Sequence, residues 1–290
     1  MIAIFGPTGV GKTAVAVALA ERLRAGGEDP VAISADALQL YDGLPILTGA
    51  PSADQRRRLE HRLLGTLPIT ATSTAGSFAR EAHAEIDGAL AAGRRPIVVG
   101  GTGLYLRAAL ADLDLRPPVP PDVRKRRRAQ LETHGAPTLH AELAAVAPDA
   151  AAAIEPTDAQ RVTRALELLD AGHEPPGARL WTADLRHPTR LAGLTMDRAE
   201  LFARIDRRVD EMVAAGAAEE VRAAHEAGAS RGARQALGFE QLLAGDVDAM
   251  KTQTRRYAKR QLTWMRKLPG VTPIDVTGRS PEDVAAEIHA

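Results

Sequence analysis

The residue types best suited to chemistry stand close together near the amino terminus. Residues 6–13 match the pattern G-x-x-x-x-G-K-[ST], in which glycines let backbone N–H groups converge on the oxygens of an anion. The lysine of this pattern supplies a mobile positive charge, and the hydroxyl of the last residue can ligate Mg²⁺. The sequence therefore predicts a diphosphate site with Thr13 as its metal ligand, formed by Gly6, Pro7, Thr8, Gly9, Val10, Gly11, Lys12 and Thr13.

The residues on either side of this phosphate loop support the interpretation. The apolar run 1–5 predicts a buried strand before it, and an Ala-rich helix is predicted from Lys12 to Ala25, ending at Gly26-Gly27. The amino end of that helix would add partial positive charge at the anion. The pattern leaves the ligand open, because ATP, GTP and prenyl diphosphates all carry a diphosphate.

A carboxylate follows the next predicted strand. The run 31–33 is short and apolar, and it leads through Ser34-Ala35 to Asp36. In a parallel sheet the carboxyl ends of the strands face the crevice that holds the ligand, so Asp36 would lie beside the phosphate loop. The alternative interpretation of Asp36 is an N-cap for the segment that follows it.

The third predicted strand, 97–99, lacks the acidic residue that a nucleotide-hydrolysing machine uses to organise Mg²⁺ and water. It is followed by Gly100-Gly101-Thr102 instead. No Asn-Lys-x-Asp guanine signature occurs in the sequence. These features argue against a GTPase and weaken the interpretation as a motor ATPase.

Strands and helices alternate in the predicted order, with a helix over 78–92 before the third strand. This order predicts an α/β fold, a P-loop NTPase-like parallel sheet flanked by helices. The proline-rich run 116–121 interrupts it, and helical stretches without a convincing strand follow. We expect a core domain of residues 1–115 and 190–290, interrupted by a helical insertion domain of residues 116–189 that contacts RNA.

The remaining elements are predicted from apolar spacing in the carboxyl-terminal part. Apolar residues from Leu201 to Val213 recur at helical spacing. A second helix is predicted over 250–267, and strands are predicted over 191–196 and 271–276.

Basic residues are clustered, although the chain is neutral as a whole, with 37 basic and 37 acidic side chains. Residues 124–128 are all basic, and seven basic residues but no acidic one lie between Met250 and Lys267. Such runs are often solvated helix faces, and the alternative is contact with nucleic-acid phosphates. Because the net charge gives no general attraction to nucleic acid, RNA contact would have to come from these clusters.

The composition excludes several kinds of site. The chain has no cysteine, which excludes disulfides and thiolate metal sites. Its eight histidines show no metal-ligand spacing, and aromatic residues make up 3%, which disfavours base recognition by several stacked rings. The apolar runs are too short to cross a membrane and no signal peptide is evident, so we expect a soluble, cytoplasmic protein.

Five ordered blocks resemble the tRNA dimethylallyltransferases and together span nearly the whole chain. They are the segments 6–13, 33–41, 98–105, 158–167 and 254–264. The resemblance implies transfer of a dimethylallyl group from dimethylallyl diphosphate to N6 of the adenine next to the anticodon, on its 3′ side, in tRNA. The expected partners are thus dimethylallyl diphosphate and the anticodon stem-loop of tRNA, the expected cofactor is Mg²⁺, and we expect a monomer.

The resemblance also carries over to individual residues. It implies that Asp36 meets the exocyclic amine of the target adenine and that Thr102 lies near both the leaving diphosphate and the RNA. The expected tRNA contacts are Asp36, Ala37, Leu38, Gln39, Thr102, Arg124, Gln160, Arg161, Val162, Thr163, Arg164, Arg255, Arg256, Lys259 and Arg260. The chain departs from the family at positions 37 and 38, where Ser and Met are common. It also lacks the lysine that the family often has in the run 45–51, so a phosphate contact from that lysine has no counterpart here.

The expected mechanism is proton removal from a poor nucleophile combined with stabilisation of a leaving group. The lone pair of adenine N6 is delocalised, and a positioned carboxylate that accepts its proton can contribute on the order of 10²–10⁴-fold. We expect Asp36 to be that base, and Lys12, Mg²⁺ on Thr13 and the Thr102 hydroxyl to stabilise the departing diphosphate. The target base must be flipped out of its loop.

The main alternative function is a P-loop small-molecule ATP kinase with Asp36 as base. A second alternative is a non-catalytic RNA-binding nucleotide switch.

Overall fold

The chain folds into two units, each with its own hydrophobic core. The computed structural model describes residues 1–113, 116, 118–175 and 184–290. The sheet unit comprises Met1–Asp112 and Ala183–Ala290, and the helical unit comprises Leu113–Thr182.

Within the described residues, the sheet unit is built on six parallel strands in the order β3-β2-β4-β1-β5-β6. The strands are β1 (Ile2–Phe5), β2 (Pro30–Ser34), β3 (His61–Arg62), β4 (Arg95–Gly100), β5 (Arg190–Thr195) and β6 (Val271–Asp275). Every residue of β1 and β2 is buried. Their burial explains why the two segments, apart from Ser34 at the end of β2, are apolar and show no alternation of polar residues. The predicted parallel α/β fold is confirmed.

The helices flank the sheet or form the helical unit. In chain order they are α1 (Lys12–Ala25), α2 (Ala53–Arg58), α3 (Ala75–Ala91), α4 (Gly103–Leu110), α5 (Pro121–Val146), α6 (Pro148–Ala152), α7 (Ala159–Asp170), α8 (Arg198–Ala214), α9 (Ala217–Glu226), α10 (Phe239–Leu243), α11 (Val247–Lys267) and α12 (Pro281–His289). The predicted helix over 78–92 is confirmed as α3, with an earlier start. It begins at Ala75 because Thr74 and Ser77 form a capping box, in which each side chain bonds the other residue's backbone N–H.

Two clusters form the core of the sheet unit. In the first, Ile4 and Leu19 pack with Leu201 and Ile205 of the amphipathic helix α8. In the second, Leu44 and Leu47, from the segment between β2 and α2, pack with Val221 of α9, Phe239 of α10 and Met250 of α11. The second cluster thus fixes a long loop that has little secondary structure of its own.

The helical unit has a smaller core of its own. Leu139 and Leu143 of α5 pack with Val162 and Leu166 of α7. The described residues of this unit form the helices α5, α6 and α7 and no strand.

The sheet topology brings three loops to one edge of the sheet unit. The phosphate loop follows β1, Asp36 follows β2 and Thr102 follows β4. These strands are parallel and adjacent, in the order β2-β4-β1, so the loops at their carboxyl ends lie side by side.

Among the described residues, none of the helices combines the length and the apolar character that crossing a bilayer requires.

Candidate active site

The phosphate loop has the geometry of an anion site. Gly9 and Gly11 have φ values of 83° and 98°, in the left-handed region that glycine adopts at little cost. The Nζ of Lys12 donates to the carbonyl oxygens of Gly6 and Pro7, at 3.0 Å each. As far as the structure describes the chain, α1 begins without a side-chain cap and without an acidic residue in its first turn. Its first N–H groups and its positive end are therefore available to an anion.

A cavity of about 360 Å³ lies beside this loop, within the sheet unit. Its lining includes the polar side chains of Thr8, Lys12, Thr13, Asp36, Gln39 and Arg208. It also includes the apolar side chains of Leu38, Leu47, Ile205, Val209, Met212 and Leu237, referred to together as the apolar wall. A small ligand with one anionic and one apolar end matches such a cavity. The sequence did not identify the apolar wall.

Asp36 lines the cavity and also fixes its own turn. Its Oδ1 accepts a hydrogen bond from the backbone N–H of Leu38, at 3.1 Å. The residues that follow form turns, and the N-cap alternative is therefore realised as the cap of a turn and not of a helix. Ala37 is half-buried in the same turn.

Two cations, Lys12 and Arg208, share the cavity with Asp36. Burial lowers the pKa of Lys12 to about 8, although the negative charge of Asp36 acts in the opposite direction. Burial also lowers the pKa of Arg208, again against Asp36. Among the described residues, Nη2 of this guanidinium donates one long hydrogen bond, 3.5 Å, to the carbonyl oxygen of Gly49. Two cations and one carboxylate beside a positive helix end favour a ligand with several negative charges. Arg208 was not among the site residues predicted from the sequence.

Two polar side chains of α11, Tyr257 and Gln261, connect this helix to the loops of the site. The Tyr257 hydroxyl lies 3.1 Å from Oγ1 of Thr102. Gln261, which is 4% exposed, accepts from the backbone N–H of Thr8 at 2.8 Å and donates to the carbonyl oxygen of Gly101 at 2.7 Å. The amide therefore joins the phosphate loop to the loop that carries Thr102. Neither side chain was predicted as part of the site.

Gln39 holds the long loop after β2 against the cavity. Its Oε1 accepts from the hydroxyl of Ser34 at 3.1 Å, and its Nε2 donates to the carbonyl oxygens of Thr48 and Gly49 at 3.4 and 3.3 Å. Gln39 and its neighbour Leu38 both line the cavity. The amide of Gln39 is therefore already committed to the protein, which makes it a positioning group for the loop.

The predicted basic residues of α11 differ in their surroundings. Arg255 is ion-paired with Asp206 of α8. Arg256, Lys259 and Arg260 are exposed. The positive charge of Arg255 is thus largely neutralised, whereas the other three present theirs to solvent.

The basic run 124–128 on α5 is not a uniform cationic surface. Arg127 is 7% exposed and donates to the carboxylates of Asp170 and Glu142, which raises its pKa and lowers that of Asp170. Arg126 also pairs with Asp170, and Arg128 pairs with a glutamate one turn further along α5. The charge of Arg127 is therefore buried and paired within the helical unit. In the described part of the chain, Arg124 and Lys125 are exposed and form no ion pair.

The predicted RNA contacts on α7 include both surface and core residues. Gln160 and Arg161 are exposed, whereas Val162 is fully buried in the core of the helical unit and Thr163 is 8% exposed. Arg164 pairs with a glutamate of the same helix, at 3.4 Å. The side chain of Val162 therefore serves packing.

The donor set fits a metal that is held mainly by a bound diphosphate. Thr13 lines the cavity, as does Asp36. No group of three or more His, Asp or Glu side chains that could hold a metal occurs among the residues described. Mg²⁺ is commonly bound by one or two protein ligands together with substrate phosphates and water, and a hydroxyl beside a diphosphate site suffices for that arrangement.

Sequence comparison places these residues in a family context. The model of the family described as IPP transferase matches residues 39–268. A tRNA dimethylallyltransferase of Thermobifida fusca is 43% identical over 93% of this chain and 88% of its own length. One of Anaeromyxobacter dehalogenans is 42% identical over 100% of this chain and 99% of its own length.

Solved structures give the same result for the fold. The full-length tRNA isopentenylpyrophosphate transferase of Bacillus halodurans superimposes with a TM-score of 0.71 at 34% identity, covering 99% of this chain and 93% of its own. A eukaryotic dimethylallyltransferase acting on tRNA superimposes with a TM-score of 0.76 at 27% identity, covering 96% of this chain and 74% of its own. The likeness extends over both units.

Proposed function

This chain belongs to the IPP transferase family, and we propose that it transfers a dimethylallyl group from dimethylallyl diphosphate to tRNA, at N6 of the adenine next to the anticodon on its 3′ side. The observation that carries the proposal is a single cavity that is lined both by Lys12, Asp36 and Arg208 and by the apolar wall. A prenyl diphosphate has the matching form, since a dianionic or trianionic head is joined to a short hydrocarbon.

The proposed reaction forms one bond and breaks one bond. The lone pair of adenine N6 attacks C1 of the dimethylallyl group, and the bond between C1 and oxygen breaks with its electron pair leaving on diphosphate. Asp36 accepts the proton that N6 loses, because its carboxylate lines the cavity beside the phosphate loop.

Stabilisation of the leaving group is assigned to groups on three elements. The N–H groups at the start of α1 and the ammonium of Lys12 act from the phosphate loop, and the guanidinium of Arg208 acts from α8. Thr102 contributes its hydroxyl, held by Tyr257. These groups interact more strongly with the negative charge that develops as diphosphate departs than with the bound substrate. They therefore stabilise the transition state more than the substrate, which lowers the barrier to prenyl transfer.

Mg²⁺ is the proposed cofactor. Bound to the diphosphate oxygens and to the Thr13 hydroxyl, it would neutralise charge on the leaving group. The chain itself supplies the remaining positive charge and the base.

We assign tRNA contact to exposed side chains of both units. In the helical unit these are Arg124, Gln160 and Arg161, and in the sheet unit Arg256, Lys259 and Arg260. The target adenine is unstacked from the anticodon loop to reach Asp36, which costs a few kcal/mol, less in a single-stranded loop than in a duplex. We further propose that the protein is monomeric and cytoplasmic.

The ATP-kinase alternative is not favoured. Relatives that are 43% and 42% identical to this chain are named for dimethylallyl transfer.

The decisive assay mixes the protein with unmodified tRNA, Mg²⁺ and dimethylallyl diphosphate labelled in its hydrocarbon. We expect label in the RNA and release of diphosphate. No label in the RNA, together with phosphoryl transfer from γ-labelled ATP to a small molecule, would instead establish a kinase.

A further inference from the structure

The cavity wall contains a segment that no secondary structure holds in place. Residues 44–50 form consecutive turns, with the N–H of Thr48 bonded to the carbonyl of Leu44 and that of Ala50 bonded to the carbonyl of Pro45, at 3.0 and 2.9 Å. Within this wall segment, Leu47, Thr48, Gly49 and Ala50 line the cavity. A wall made of turns needs external support to keep one conformation.

One side chain from a distant helix adds to the support that the second core cluster and Gln39 give. Glu220 of α9 accepts from the N–H of Ile46 at 2.9 Å through Oε1 and from the N–H of Leu47 at 2.7 Å through Oε2. The carboxylate is half-buried and pairs with no cation among the described residues, and burial raises its pKa. Both of its oxygens are thus committed to two successive backbone N–H groups of the wall segment.

The contacts continue from the wall segment to the cations of the site. The carbonyl oxygen of Gly49 accepts from Arg208, and the amide of Gln39 donates to the carbonyl oxygens of Thr48 and Gly49. Glu220 therefore holds Ile46 and Leu47 in the middle of a segment whose Gly49 carbonyl accepts from the guanidinium, and Leu47 itself lines the cavity.

We infer that Glu220 is a positioning residue that sets the affinity for the prenyl diphosphate by fixing residues 44–50 as a wall of the cavity. The inference rests on the proposed function. Glu220 itself lies outside the cavity lining and touches neither substrate, so its effect passes through the wall segment alone.

The position of Glu220 predicts a selective kinetic effect. Replacing it with glutamine keeps one acceptor oxygen and turns an NH₂ group towards the second N–H, which loosens the wall segment. We expect the KM for dimethylallyl diphosphate to rise about tenfold in Glu220→Gln, as for loss of one hydrogen bond to a charged group, and further in Glu220→Ala. The KM for tRNA should change by less than about twofold, because none of the side chains assigned to RNA contact touches the segment. The kcat at saturating donor should fall by a smaller factor than the donor KM rises, because Glu220 reaches Arg208 only through the wall segment and the base lies outside that segment.

The matched control is Glu219→Gln, one residue earlier on the same helix. Glu219 has a side chain that is 67% exposed and, within the described part of the chain, its ion-pair partner is Arg222, one turn further along α9. The Glu219→Gln variant should keep the wild-type values of kcat, the KM for dimethylallyl diphosphate and the KM for tRNA.

The experiment measures initial rates for wild type and the three variants, varying donor and tRNA in turn, together with the unfolding temperature of each. An increase in the donor KM that exceeds any fall in kcat, with the KM for tRNA unchanged, supports the inference. An unchanged donor KM, a fall in kcat alone, or a Glu220→Gln protein that is unfolded would each overturn it and assign Glu220 to the stability of the fold. Absence of transfer by the wild-type protein would instead count against the proposed function, so the two failures are distinguishable.

Discussion

Three charged side chains, Lys12, Asp36 and Arg208, share the wall of one cavity. Their net charge is positive when all are ionised, and the amino end of α1 adds to it. A diphosphate neutralises the cations and leaves the carboxylate free to receive a proton. At the scale of residues, the proposal thus assigns anion binding to Lys12 and Arg208 and base catalysis to Asp36.

Replacing Asp36 tests the base directly. Asp36→Asn keeps the size of the side chain and removes its capacity to take a proton, so kcat for prenyl transfer should fall on the order of 10²–10⁴-fold. The affinity for tRNA should change little, because binding relies on phosphate contacts elsewhere. Single-turnover kinetics and a tRNA-binding titration measure the two effects. Asp42→Asn, at an exposed aspartate in the same loop, is the control, and a near-native rate in Asp36→Asn would remove Asp36 from this role.

The lowered pKa of Lys12 predicts a dependence on pH. Burial holds this pKa at about 8, so the ammonium of the free enzyme loses its proton as the pH rises through that value. The kcat/KM for the donor should therefore fall above about pH 8, since a neutral amine binds diphosphate weakly.

The comparison for this prediction is Lys12→Arg. A guanidinium keeps its proton throughout this range, so the alkaline fall should disappear even if the absolute kcat/KM is lower. The same fall in the variant would assign the titration to another group.

At the scale of elements, α11 organises the site although it lies far from the phosphate loop in sequence. Tyr257 and Gln261, one turn apart, reach Thr102, Gly101 and Thr8. The helix thereby fixes the relative positions of the loops after β1 and β4, which the sheet alone sets only approximately. Burial raises the pKa of Tyr257 to about 12, so its hydroxyl stays protonated at neutral pH.

The hydrogen bond between Tyr257 and Thr102 predicts coupled mutational effects. Thr102→Ala should lower kcat about tenfold or more, as for loss of a group that stabilises the leaving group. Tyr257→Phe should lower it less, and the double variant should match Thr102→Ala, because Tyr257 acts through the threonine hydroxyl. A double-mutant cycle on kcat measures this. Strict additivity of the two effects would show that Tyr257 acts independently of Thr102.

At the scale of the whole molecule, positive charge is selectively exposed in an otherwise neutral chain. Arg127 and Arg255 form ion pairs with carboxylates of the protein. Arg256, Lys259 and Arg260, in contrast, are exposed to solvent. Neutral net charge with local basic surface suits a protein that must bind RNA at a defined place.

The exposed charges of α11 predict the salt dependence of tRNA binding. Alanine at Arg256, Lys259 or Arg260 should reduce the slope of log affinity against log salt by about 1 for each phosphate that the side chain neutralises, with the KM for the donor unchanged. Lys251→Ala, on the same helix, is the control, because Lys251 is already paired with Asp210 at 2.6 Å. Equal slopes for the control and the three variants would remove these residues from the RNA interface.

Much of the polar half of the site could be predicted because it is local in sequence. The phosphate loop is one contiguous motif, and Asp36 and Thr102 each follow an apolar strand, so the edge of the sheet on which they meet follows from parallel topology alone. The positions of the central strands and of α1 were predicted for the same reason.

The apolar wall and the partners of the charged residues could not be predicted in this way. Ile205, Val209 and Met212 have the spacing of an ordinary core-facing stripe, and nothing in that spacing separates residues that pack from residues that line a cavity. Arg208 lies within this stretch of α8, and a charge among core-facing positions was the available signal. The ion pair between Arg127 and Asp170 joins residues that are far apart in sequence. The basic run 124–128 therefore could not show that one of its positive charges is neutralised by a distant carboxylate.

The central claim is that one cavity holds both the diphosphate and the base that deprotonates adenine. A crystal structure of the protein with an anticodon stem-loop and pyrophosphate tests it most directly. We expect pyrophosphate on the N–H groups of residues 9–13 and within reach of Arg208, and the extruded adenine with N6 at hydrogen-bonding distance, about 3 Å, from the Asp36 carboxylate. An extruded purine bound well away from Asp36, or pyrophosphate bound outside the phosphate loop, would contradict the claim.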